Sequence, residues 1–170
     1  IIYDEEKKIV SLHFTKGYAN AQLPENVVEE EVTIGEGTDY PLGATLTLPK
    51  NHEDPLPAVI LVHGSGPSDR DETAFGYKPF RDIAWELAER GIASLRYDKR
   101  TFVHGEKMSS EFSTELTVHE ETVEDAVRGA KLLKADPRID EKNVYLIGHS
   151  LGGMLAPRID QEGGDFAGII

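Results

Sequence analysis

The chain has 170 residues, 39% hydrophobic and 29% charged, with a formal net charge of −13 and no cysteine. Such a length and apolar content suit one domain, or one domain with a fragment of another, and exclude a disordered segment. The negative balance speaks against nucleic acid and anionic membranes as partners, the missing cysteine rules out disulfides and thiolate metal sites, and no run of about 18 apolar residues is there to span a membrane.

Residues 1–14 read as a hairpin, with the apolar stretches 1–3 and 9–14 on either side of Asp4-Glu5-Glu6-Lys7-Lys8. Residues 17–27, with Gly17, Asn20, Pro24 and Asn26, read as a linker between a 1–16 remnant of an upstream module and a domain over 28–170. The chain opens on Ile1, and 166–170 have the character of a strand beginning, so the expectation is an excerpt of a longer protein. Localisation is left open.

Two strands are predicted over 28–34 and 42–48, antiparallel because only a short link through Gly35-Glu36-Gly37 joins them. The second alternates at Leu42, Ala44, Leu46 and Leu48, as a half-buried strand does. The character then changes. Residues 58–62, Ala-Val-Ile-Leu-Val, form a continuous apolar run, the mark of a strand buried on both faces. A helix over 78–90 carries Phe80, Ile83, Ala84, Leu87 and Ala88 on one face and closes at Gly91. A strand follows over 92–97, then a loop over 102–115 expected to overhang the site. The longest helix is placed over 117–134, opened by the Thr117/Glu120 spacing of a capping box. A strand over 144–147, a helix over 151–161 and a last strand from 167 complete the reading. Strands alternating with helices imply right-handed crossovers and a parallel sheet.

Gly148-His149-Ser150-Leu151-Gly152 fits the pattern G-x-S-x-G between an apolar strand and a helix. A serine hydroxyl is a weak nucleophile and must stand clear of the sheet where a base can reach it, which a sharp strand-to-helix turn achieves. Small residues on both sides relieve the crowding, and the helix N-terminus behind Ser150 offers free N–H groups to developing negative charge. A second motif, His63-Gly64-Ser65-Gly66-Pro67, follows the buried strand. Acyl transfer needs two N–H donors aimed at the oxyanion; Leu151 is the candidate for one, and Ser65, then Gly64, for the other.

The neighbouring charges admit two readings each. Asp69-Arg70-Asp71-Glu72 is either a cation site or a solvated, self-paired loop, the commoner use of such a run. Asp98 and Arg100, past the end of a strand, either line the pocket or form an ion pair that fixes the loop, again the commoner use. His63 and His149 are candidate pocket neighbours and read as structural, because the order Ser, acid, His puts the base after the serine. The other histidines show no metal-ligand spacing, so no metal is expected.

These strings, together with Lys78-Pro79-Phe80, Leu95-Arg96-Tyr97-Asp98-Lys99-Arg100-Thr101 and Gly152-Gly153-Met154, occur in the order seen in bacterial α/β-hydrolases, and the chain resembles the EstD-type carboxylesterases from about Glu30 to Ile170. The resemblance implies strand order 1-2-4-3-5-6 and a serine esterase acting on small acyl esters without a cofactor. It also implies an acid after a later strand and a histidine near the C-terminus. After Ser150 this chain offers only Asp160, Glu162 and Asp165, and no histidine.

The expectations are therefore an α/β-hydrolase fold, its mostly parallel sheet led by antiparallel strands and truncated after the sixth strand, and ester hydrolysis through an acyl-enzyme on Ser150. The alternatives are a peptidase or acyltransferase on the same scaffold, or a non-catalytic fragment. The 170 residues alone are expected to be inefficient, and the 167–170 edge is expected to take a second copy or a companion fragment.

Overall fold

The computed structural model describes residues 2–3, 9–11, 21–52, 55–112 and 116–170. Two short strands, β1 (Ile2–Tyr3) and β2 (Ile9–Ser11), pair antiparallel in a sheet of their own. The charged turn expected between them lies outside the described residues, as do residues 17–20 of the expected linker.

The remaining strands form one six-stranded sheet. β3 (Val27–Ile34) and β4 (Leu42–Pro49) are antiparallel partners. β5 (Leu56–Val62) is followed by helix α1 (Pro79–Ala88) and β6 (Ala93–Tyr97). Next come α2 (Arg100–Val103), α3 (Gly105–Phe112), α4 (Glu124–Ala135), β7 (Ile139–Gly148), α5 (Leu151–Ile159) and β8 (Gly168–Ile169). The order across the sheet is β3-β4-β6-β5-β7-β8, the 1-2-4-3-5-6 order implied by the resemblance. β5, β6, β7 and β8 run parallel, and β4 meets β6 antiparallel.

The burial pattern of β5 explains its unbroken apolar run. Ala58, Ile60 and Val62 face a core shared with Val123, Ala126 and Leu133 near α4 and Leu155 and Ile159 on α5. Val59 and Leu61 face Phe80, Ile83 and Leu87 of α1 on the other side. Burying each such aliphatic side chain contributes about 1.5–3 kcal/mol, so β5 is the spine of a three-layer sandwich.

Several boundaries differ from the sequence reading. The expected loop over 102–115 holds two helices, α2 and α3, with residues 113–115 outside the description. Met108 of α3 is buried, at 2% exposure, but it sits between Glu106-Lys107 and Ser109-Ser110-Glu111, a polar run that gives no apolar period to read. β7 begins at Ile139, five residues ahead of Val144, because Ile139 pairs with Leu56 while the polar run Asp140-Glu141-Lys142-Asn143 bulges out of register before Val144 pairs with Ala58. The capping box forms only in part. Thr117 N–H donates to Glu120 at 3.0 Å, but the threonine hydroxyl accepts from His119 N–H at 3.1 Å, because residues His119–Val123 wind as a π turn ahead of α4. A second π turn, Asp160–Gly164, ends α5. β8 is an edge strand, with Ile169 42% and Ile170 72% exposed.

Candidate active site

Parallel pairing of β5 with β7 puts Val62 opposite Gly148, so the two strands end side by side at the carboxyl edge of the sheet. Open α/β sheets bind ligands at that edge. The His63 loop and the Ser150 turn are adjacent for this reason alone.

At the turn, His149 N–H donates to Val62 C=O at 2.9 Å, and Gly148 N–H to Ile170 C=O at 3.0 Å. Ser150 then takes φ 50° and ψ −111°, a conformation few non-glycine residues occupy and one that stores on the order of 1–3 kcal/mol. Two glycines enforce it. A Cβ at Gly148 would stand 2.4 Å from the Gly153 nitrogen, and one at Gly152 would stand 2.4 Å from the Val62 carbonyl oxygen. The chain can fold back over its own strand end only where both are missing. Ser150 is left exposed at the N-cap of α5, with Leu151 as the first helical residue.

Gly64 lies against this turn, since a Cβ built on it would come within 3.4 Å of the Ser150 Cβ. Its N–H donates to Glu72 Oε1 at 2.8 Å, and the same oxygen is 2.8 Å from His149 Nδ1. Of the three candidate oxyanion donors, Gly64 is thus engaged. The N–H groups of Ser65 and Leu151 meet no acceptor among the described residues.

Lys99 follows β6, the neighbour of β5 in the sheet. Its side chain, 2% exposed, runs beneath the loop, where Nζ donates to Gly64 C=O at 2.7 Å and to Glu121 Oε1 at 2.6 Å. Glu121 Oε1 also accepts the Gly66 N–H at 3.3 Å. His63 is 1% exposed, its ring packed on Phe80 and edge-on to Tyr97, with Nε2 3.0 Å from Asp69 C=O. Burial pushes its pKa down to about 4, so it is a neutral packing residue beneath the loop. His149 is 63% exposed beside Ser150, with its Nδ1 turned to Glu72.

The acidic loop is largely shielded from solvent and pairs mostly with residues outside itself. Asp71 joins Arg96 and Lys78, Arg96 also joins Glu29, and Asp69 accepts the N–H groups of Asp71 and Thr73. Arg70 pairs with Asp98 at 2.7 Å and with Glu31 at 2.6 Å. The carboxylates therefore turn to separate partners, and no group of three metal-binding side chains occurs among the described residues. Asp98 and Arg100 do not pair with each other; each has its own partner. Asp98 fixes the loop through Arg70, and Arg100 is buried against Asp125 and Glu124 of α4. Burial raises the pKa of Asp125, against the pull of the Arg100 hydrogen bond.

Sequence reasoning did not single out Glu72, Lys99 or Glu121 for the site. Glu72 was one member of a charge run, and Glu121 one carboxylate on a helix surface. The usable signal was Lys99: a lysine two residues past the end of a fully buried strand has to find a carboxylate or carbonyl nearby if it is buried in turn.

A model of the Alpha/beta hydrolase family matches residues 59–170. Esterase EstD of Thermotoga maritima is 44% identical over 163 residues, covering 95% of this chain and 38% of that protein. The chain thus spans well under half the length of this curated relative. Among solved structures, a bacterial heroin esterase superposes with a TM-score of 0.62 at 20% identity over 87% of this chain and 43% of its own. A dienelactone hydrolase from Anabaena variabilis gives 0.60 at 22% identity over 85% and 61%. Brefeldin A esterase, a bacterial homologue of human hormone sensitive lipase, gives 0.60 at 17% over 95% and 42%. At those identities the solved structures speak for the fold.

Proposed function

This chain belongs to the Alpha/beta hydrolase family, and from that premise we propose that it carries the nucleophile and oxyanion donors of a serine esterase acting on small acyl esters. The observation that carries the reading is the left-handed backbone of Ser150 at a strand-to-helix turn packed against Gly64. The 44% identity to an esterase supports ester hydrolysis over other acyl transfers.

Ser150 Oγ attacks the acyl carbonyl carbon and loses its proton to a base. The carbonyl oxygen becomes an oxyanion between the Ser65 and Leu151 N–H groups, at the positive end of α5. Collapse expels the alcohol, which takes the proton back, and water then hydrolyses the acyl-enzyme by the same route. We assign the base and its orienting acid to the part of the family's length that this chain does not span, since the chain covers 38% of Esterase EstD, His63 is buried and His149 faces Glu72.

The test is a fluorophosphonate probe with intact-mass readout on the full-length protein. One adduct that maps to Ser150 and vanishes in Ser150→Ala is expected. A panel of p-nitrophenyl esters and matched anilides reads out the chemistry, with ester turnover dominant. Labelling elsewhere, or turnover that survives Ser150→Ala, overturns the reading.

A further inference from the structure

The Lys99–Glu121 pair has an unusual relation to Ser65. Lys99 Nζ holds the carbonyl of Gly64, and Glu121 holds the N–H of Gly66, so both peptide groups flanking Ser65 are gripped by one ion pair. The peptide between Gly64 and Ser65 is planar and trans, which points its C=O and N–H in opposite directions. With the carbonyl drawn down onto buried Lys99, the Ser65 N–H must face up and away from it. We propose that Lys99, braced by Glu121, is a positioning residue for ester hydrolysis: it sets the direction of the Ser65 N–H and strengthens it as an oxyanion donor.

The strengthening follows from peptide resonance. A cation 2.7 Å from the carbonyl oxygen draws electron density toward that oxygen and leaves the N–H of the same amide more positive. The lysine is 2% exposed, so little water screens the effect. The contribution belongs to the transition state, because the oxyanion carries more negative charge than the ester carbonyl it came from. Glu72 fixes the preceding peptide through the Gly64 N–H, so three consecutive peptide planes are held before substrate arrives.

The inference rests on the serine-esterase reading, and the experiment separates the two. In the full-length protein, Lys99→Gln/Glu121→Gln replaces the ion pair with an amide pair and avoids leaving a lone buried carboxylate. Loss of a whole oxyanion donor lowers kcat about 10²–10³-fold. A donor that is present but unaimed and unpolarised should lower kcat about 10–100-fold, with KM changed less than about twofold. Affinity for a trifluoromethyl ketone, which forms a tetrahedral adduct on the serine, should fall by the same factor as kcat/KM. Lys99→Arg keeps the charge but substitutes a planar fork for a point donor. It should fold and show a smaller kcat loss, about three- to tenfold by the same reasoning, so the question stays answerable if the double variant does not fold. Wild-type kcat and inhibitor affinity in the variants that fold, alongside Ser150-dependent turnover, overturn the positioning role alone. Turnover in the parent that ignores Ser150→Ala overturns the esterase reading and this inference with it.

Discussion

After β7 the chain turns within a few residues, and the turn is fixed by what is missing: a Cβ at Gly148 or Gly152 would overlap backbone atoms. After β5 the chain runs from His63 to Lys78 before α1 begins, and that stretch is fixed by charge. Lys99, Glu121, Glu72, Arg70 with Asp98, and Asp71 with Arg96 each pin a part of it. The two halves of one site are thus held by different physics. Steric restraint is local and fails completely when broken. Ionic restraint is shared among several pairs and fails by degrees.

Ser150→Ala is the severest break at the turn. It should lower ester turnover of the full-length protein by on the order of 10⁴–10⁶, as loss of a triad nucleophile does. Near-normal kcat would remove Ser150 from the chemistry. Gly152→Ala attacks the restraint itself. Its methyl would meet the Val62 carbonyl oxygen at 2.4 Å, and that neighbour is backbone at the end of the central strand. A loss of about 3 kcal/mol in urea unfolding, together with loss of fluorophosphonate labelling, is expected. A fully stable, labelled Gly152→Ala would show that the turn has slack.

His63 sharpens the comparison from the loop side. Its folded pKa of about 4 lies below the ordinary 6.5, so the unfolded chain binds a proton that the folded chain refuses. Its contribution to stability is complete above about pH 6.5 and declines as pH falls toward 4, by at most about 1.4 kcal/mol per pH unit. Chemical denaturation of the wild type and His63→Phe between pH 7 and 4 should show that slope in the wild type only. Equal slopes would mean that His63 is protonated in place. The mildest change is Glu72→Gln. The amide oxygen still accepts the Gly64 N–H, and the other partner of that oxygen, His149, is exposed. Less than about 1 kcal/mol of stability and less than about threefold in kcat should go, in keeping with one weakened hydrogen bond. A loss matching that of Ser150→Ala would show that the loop fails all at once.

The same contrast governs how far the sequence could be read. The turn was legible because its cause sits within five residues: a glycine, two further, a serine, and a glycine closing the pattern, after an apolar strand. The sheet was legible for the same reason, since the run from Ala58 to Val62 records burial on both faces in consecutive letters. The loop was not, because its restraints join residues far apart in the chain. Lys99 meets Gly64 across 35 positions, and Arg96 meets Glu29 across 67. Period and spacing carry no trace of such pairs. Asp98 and Arg100 illustrate the point, since position placed them at the right edge of the sheet and only the geometry revealed Arg70 and Asp125 as their partners. α3 was missed for a related reason: the residues on either side of buried Met108, Glu106-Lys107 and Ser109-Ser110-Glu111, look like a polar loop.

The wide first turn at His119–Val123 makes the Lys99 pair a matter of helical phase. A π turn is an α turn with one residue added. That extra residue sets the angle at which Glu121 leaves the helix to reach Lys99 and Gly66. Deleting a single residue just after Glu121 would let the turn rewind as ordinary α-helix anchored by α4, and each residue of shift rotates a side chain by about 100° about the axis. The helix would gain regular hydrogen bonds while Glu121 swung off its target. In this segment a length change of one residue would separate two properties that usually fall together, firming the scaffold while loosening the loop it supports.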